Sequence, residues 1–268
     1  TDATRSTLQK VEDVSYPTGH ILGDGSVFAI SHKVNASFQV INDTLAQHGH
    51  VSFSNGPVAT PQGAEKGAII ITDIDRNTLE GILARRHVDA SAMTTAPEGT
   101  AISAPRVGLY RQWGSNIDEG WTRWVINQYA FNWKSAYNAD VRKGNLNASY
   151  DTIVIPDLSA ARVIPKGQRA GKDFVKAPHP GPLGSLLDGF SIEDEPAPYA
   201  GGIGNDGADA LKKFVSDGGT LVALNRASDA IIDLFDLPVT NVIKDAKSDR
   251  FFCSGALLQI HLNEGGAA

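Results

Sequence analysis

Cysteine is nearly absent: Cys253 is the only one in 268 residues. One thiol cannot close an internal disulfide, so no disulfide framework is expected, and a cysteine-based zinc site is excluded with it. No apolar run approaches the roughly 20 residues of a membrane-spanning helix. Positive charge is also in short supply, with 24 Lys and Arg against 30 Asp and Glu and a net charge of −6. Nucleic acid and anionic membrane surfaces call for basic patches, so neither is an expected partner. No G-x-G-x-x-G follows a strand and no P-loop occurs. Gly201-Gly202-Ile203-Gly204 precedes a helix without following a strand and reads as loop. The first residues are polar and show no signal-peptide pattern.

What is present is ordinary for a globular protein: 41% hydrophobic and 20% charged residues, on a chain long enough for one large domain or two small ones. Residues 1–104 read as a smaller α/β segment. Val27–Ser31 and His50–Ser54 are strands, and the continuous apolar run Ala68–Thr72 is a strand buried on both faces. Asn35 to Gln47 is a helix with Phe38, Ile41, Asn42 and Leu45 at helical spacing, and Asn77 to His87 is another, with Leu79, Ile82 and Leu83 inward. Val88–Met93 closes the segment, and Thr94–Pro105 reads as a connector.

Residues 105–268 restart the pattern more cleanly. Strands are expected at Arg106–Tyr110, Thr152–Pro156, Thr220–Leu224, Val239–Ile243 and Ala256–Leu262. Helices are expected at Asp118 to Tyr129, Ala208 to Ser216 and Ala227 to Phe235. Alternating strands and helices imply a parallel sheet covered on both faces, a flavodoxin-like or Rossmann-like three-layer sandwich. Leu158 to Asp206 is rich in proline and glycine and reads as a covering loop.

Chemistry in such a sheet belongs at the carboxyl ends of the strands. The candidate ligand-binding residues there are Arg111, Asp118, Glu119, Asp157, Asn225, Arg226 and Asp229. Caps and ion pairs account for the same residues: Asp118 and Glu119 suit a helix N-terminus, Ser115 and Asp118 approximate a capping box, and Asp157 and Arg226 can pair. Trp121, Trp124 and Val125 share a helical face, which places the tryptophans in the core. His48 and His50 read as a surface pair on an edge strand. His261-Leu262-Asn263-Glu264 matches the H-x-x-E zinc pattern, but no later histidine follows to complete a three-ligand site, so the match reads as accidental. A nucleophile elbow would place Ser or Cys at the strand-to-helix turn. Asn225-Arg226 stands there, and Cys253 reads as a buried structural thiol.

The runs at 106–113 (RVGLYRQW), 117–129 (IDEGWTRWVINQY), 150–157 (YDTIVIPD), 218–229 (GGTLVALNRASD) and 251–258 (FFCSGALL) resemble the C-terminal region of large bacterial carboxypeptidase A-like zinc peptidases. That region is similar to the class I glutamine amidotransferase fold. The resemblance implies a periplasmic or extracellular accessory region whose partner is an upstream peptidase domain or another protein. A homodimer is a further option. Catalytic residues and cofactors are expected to be absent from this chain, with zinc confined to the peptidase domain. Two other readings remain: a degenerate or unrecognised hydrolase, and a small-ligand-binding domain using the strand-end crevice.

Overall fold

The longest apolar runs become the central strands. In the computed structural model, which describes residues 11, 13–114, 116–159, 163, 196–199, 202–244, 246 and 249, the first half builds a mixed six-stranded sheet. Its elements are β1 (Ile21–Leu22), β2 (Val27–Ile30), α1 (Asn35–Ala46), β3 (His50–Ser54), β4 (Pro57–Thr60), β5 (Gly63–Lys66), β6 (Ile69–Thr72), α2 (Arg76–Arg86), β7 (Ala90–Met93) and β8 (Gly99–Ile102). The strand order is β1-β7-β2-β6-β3-β8. The four inner strands β7-β2-β6-β3 are antiparallel neighbours, with two βα units interleaved as in a split βαβ unit.

Side chains alternate along a strand, so one strand serves two cores. Phe28, Ile30, Ile69 and Ile71 meet Val40 and Ile41 of α1 and Leu79, Ile82 and Leu83 of α2. On the other face Val27, Ala29 and Ile70 pack with Val58 of the β4–β5 hairpin. The run at Ala68–Thr72 is therefore buried on both faces, in an antiparallel setting. Glu65 of β5 pins the hairpin, accepting from Ser31 Oγ (3.1 Å) and the His32 amide (3.0 Å) with Lys33 Nζ at 3.4 Å. Burial pushes its carboxyl up. Ser31, His32 and Lys33 together outweigh that and hold it below its ordinary range.

Three local expectations are corrected here. Residues 94–105 contain β8, whose Gly-Thr-Ala-Ile stretch is largely exposed and lacks an apolar signal. Because β8 pairs with β3, the H-x-H is not on an edge: His48 sits in a turn at φ +61°, and exposed His50 opens an internal strand. In α1 the buried residues are Ser37, Val40, Ile41, Asn42 and Thr44 with Leu45 partly buried against the core, so of the expected stripe only Phe38 turns outward.

The second half builds a four-stranded, wholly parallel sheet. Its elements are β9 (Val107–Arg111), α3 (Ile117–Gln128), β10 (Trp133–Tyr137), α4 (Asn138–Lys143), a 3₁₀ turn (Leu146–Ala148), β11 (Thr152–Ile155), α5 (Gly204–Ser216), β12 (Thr220–Ala223) and α6 (Ala227–Phe235). The order is β10-β9-β11-β12. Ile153 and Ile155 pack with Val141 of α4, Leu211 and Phe214 of α5 and Ala227 and Ala230 of α6. Val107 and Leu109 meet Ile126 of α3 on the opposite face. Val239–Ile243 is not a strand. Residues 242–244 form a turn in which the Ile243 amide donates to Asn241 Oδ1 (3.2 Å), a local bond that competes with sheet pairing. Ala256–Leu262, Cys253 and the His261–Glu264 pattern lie outside the described residues.

α1 also reaches α3. Gln39 Nε2 donates to Gln128 O (2.9 Å) and Asn42 Nδ2 to Tyr129 O (2.7 Å), satisfying carbonyls that the end of α3 leaves open. At the amino-terminal ends of β9 and β11, Arg106 clamps Asp151 by its backbone amide (2.7 Å), Nε (3.0 Å) and Nη2 (2.6 Å). These bonds, the side-chain ones foremost, hold the Asp151 carboxyl at about 2, below the ordinary 3.8. A depressed folded pKa stabilises above the unfolded value, and that contribution is lost as pH falls through the folded one. Denaturation midpoints should therefore fall as pH drops from 3.8 towards about 2. Asp151→Asn should remove that part of the pH dependence, whereas equal profiles for the two proteins would refute the assignment.

Candidate functional site

The parallel strands of the second sheet end at one edge, and the turns leaving it carry polar side chains. The chain passes from β9 outward to β10 on one side and from β11 to β12 on the other, so the order reverses between β9 and β11. A crevice forms at such a reversal. It holds a cavity of about 250 Å³, walled by Arg111 and Gln112 at the end of β9, by Glu119, Gly120 and Arg123 of α3, and by Leu158 after β11.

The turn between β9 and α3 is closed by Asn116. Its Oδ1 accepts from the amides of Asp118 (3.0 Å) and Glu119 (3.3 Å), and its Nδ2 donates to Asp157 O (3.3 Å). Asn116, not Asp118 or Glu119, is thus the N-cap. Ser115 is outside the described residues. Asp118 is exposed in the first turn, and its negative charge adds to the Asp157 contacts that raise the Arg226 pKa. Glu119 is buried and takes the Arg123 guanidinium, with Nη2 at 2.6 Å from Oε2 and Nε at 3.2 Å from Oε1. Arg111 has no ion pair among the described residues, and its guanidinium lies 6.0 Å from the centroid of the Tyr199 ring.

Three of the remaining candidates gather around Asp157, the residue before Leu158 of the cavity wall. Asp157 accepts from Asn225 Nδ2 (2.6 Å) and from Arg226 Nε (2.8 Å). Burial raises its carboxyl, but Arg226 and Asn225 together outweigh that and keep it below the ordinary range. The Asp157–Arg226 pairing legible in the sequence therefore forms, and it ties the end of β11 to the turn after β12. Asp229 stands apart, accepting from Asn241 Nδ2 (3.1 Å).

Other residues of this edge carried no sequence signal. Buried Asn138 accepts from Tyr110 Oη (2.6 Å) and donates to Tyr199 O (2.5 Å). Tyr199 meets Trp113 at 5.1 Å and Tyr137 at 4.9 Å, so an aromatic group flanks Arg111. Trp113, Tyr137 and Tyr199 are far apart in sequence, and only the fold collects them.

The outward face of α3 overturns an expectation. Trp121 and Trp124 are not core: they are 63% and 54% exposed, beside Ile117 at 77% and Val125 at 46%. Their rings pack edge-on at 6.0 Å. Periodicity correctly placed these residues on one stripe. The sheet is instead met by the opposite side of α3, through Ile126 and the buried Glu119.

Asn225 occupies the strand-to-helix turn in a left-handed conformation (φ +49°), which asparagine tolerates. Ser228 Oγ donates to Ala223 O (3.3 Å) and is bonded to no base among the described residues. No group of three or more His, Cys, Asp or Glu among them could hold a metal, and no helix among them is long and apolar enough to cross a membrane. Compared with known proteins, the chain matches no family model, no curated protein and no solved structure.

Proposed function

We propose that the chain is a non-catalytic accessory region that docks a zinc carboxypeptidase-like domain through the outer face of α3, as part of a periplasmic or extracellular protein. The carrying observation is the exposed stripe Ile117, Trp121, Trp124 and Val125, spaced at i, i+4, i+7 and i+8. Soluble surfaces rarely leave such a stripe open unless something covers it, and tryptophan is the residue most enriched among binding hot spots. A protein surface fits it better than a small ligand, because the stripe is convex and runs along the helix. The resemblance of the marker runs to peptidase-associated regions selects the partner.

The strand order of the parallel sheet, second-first-third-fourth, supports reading the second half as a flavodoxin-like, class I glutamine amidotransferase-like domain. The tight turn at Asn225 stands where a nucleophile elbow would. An amide held by Asp157 in place of a thiol or hydroxyl supports a binding role over hydrolysis.

The test is an assay of the purified chain for carboxypeptidase activity, with bound zinc measured in parallel. Neither activity nor stoichiometric zinc is expected. Zinc-dependent peptide cleavage by the chain alone would overturn the reading. A tight dimer of the chain through the same helix face, seen by sedimentation, would reassign that face to self-association.

A further inference from the structure

We propose that the cavity at the carboxyl end of β9 binds a compact organic monocarboxylate, with the Arg111 guanidinium as its charge partner. This site lies on the inner side of α3 and does not rest on the docking role of the outer face. Its charge is set by Arg111, Glu119 and Arg123. Arg123 is neutralised by Glu119 through the hydrogen bonds already described. Arg111 keeps its positive charge without a carboxylate among the described residues, so the lining carries one net positive charge.

Gly120 is the second observation. It sits in the first turn of α3, a helix in which glycine is less favourable than alanine. No close approach requires it: a Cβ built there would meet nothing within 4 Å. Gly120 lines the cavity, so the missing side chain keeps space open in it. Gln112 adds an amide with no hydrogen bond to the described residues and available to a second polar group on the ligand.

Size and charge define the ligand class. About 250 Å³ is below the range typical of drug-sized ligands. A guanidinium fork matches the two oxygens of a planar carboxylate. A phosphate dianion would bring a second negative charge up to Glu119 and Asp118, with no second cation free of a carboxylate in the lining among the described residues. Leu158 in the lining offers an apolar contact to the body of the ligand.

The test titrates the whole chain with lactate, gluconate and benzoate, with lactamide, benzamide and inorganic phosphate as controls, followed by amide chemical shifts. At least one carboxylate should bind with Kd near or below about 1 mM, and its amide should not. Arg111→Gln should weaken that binding roughly tenfold or more. Gly120→Leu should abolish it while leaving the unliganded melting temperature unchanged or higher, which separates a filled cavity from a failed fold. No binding by any carboxylate, equal binding of the matching amide, equal or tighter binding of phosphate, or an unchanged affinity in Arg111→Gln would each overturn the proposal.

Discussion

Phe214→Ala should lower the unfolding free energy by about 3–5 kcal/mol, the range for emptying a buried aromatic site. Phe214 is 1% exposed and lies between α5 and the parallel sheet, among Ile153, Ile155 and Leu211. Its ring also closes over Gly219, the residue that precedes β12. A Cβ on Gly219 would stand 2.4 Å from that ring, so Gly219→Ala has to displace Phe214 or the chain leading into β12. Overpacking of this kind costs about 1–3 kcal/mol. The two substitutions share one space, so their effects should not add. In the Phe214→Ala background the alanine at 219 should cost little, giving a coupling within roughly 0.5–3 kcal/mol in a double-mutant cycle by urea denaturation. Additive effects would mean that the ring does not close over Gly219.

Trp121→Ala with Trp124→Ala is the second large effect, and it is a large effect on binding alone. Truncating a core tryptophan costs about 3–5 kcal/mol. Here both rings are more than half exposed, so the free chain should lose no more than about 1 kcal/mol. Affinity for the docking partner should fall about a hundredfold or more, because a hot-spot tryptophan contributes about 2 kcal/mol or more. Before any partner is added, the exposure itself is measurable: acrylamide should quench much of the wild-type tryptophan fluorescence, and the double substitution should remove most of the quenchable part. A loss of several kcal/mol in the free chain would return the tryptophans to a core role.

These contrasts show what is legible in the sequence. Runs such as the one at Ile69–Thr72 announce central strands, because a strand covered on both faces has no polar side. β8 and the β4–β5 hairpin announce little, since edge and covering strands carry few apolar residues. The stripe on α3 is legible as a stripe, but periodicity says nothing about whether a sheet or solvent lies against it. Asp157 and Arg226 are legible as a possible pair through their places after two strands. Asn116 does not stand out as the cap, because the acidic residues beside it look equally suitable. Gly120 gives no sign of its role until the space around it is seen, and the Tyr110–Asn138–Tyr199 chain exists only through tertiary contact.

The central claim is that α3 presents a docking face for a peptidase-like domain. Calorimetric titration of the chain with a zinc carboxypeptidase-like domain, for the wild-type and for Trp121→Ala/Trp124→Ala, tests it most directly. A one-to-one complex is expected for the wild-type chain and roughly hundredfold weaker binding for the substituted one. No complex, or equal affinity in both chains, would contradict it.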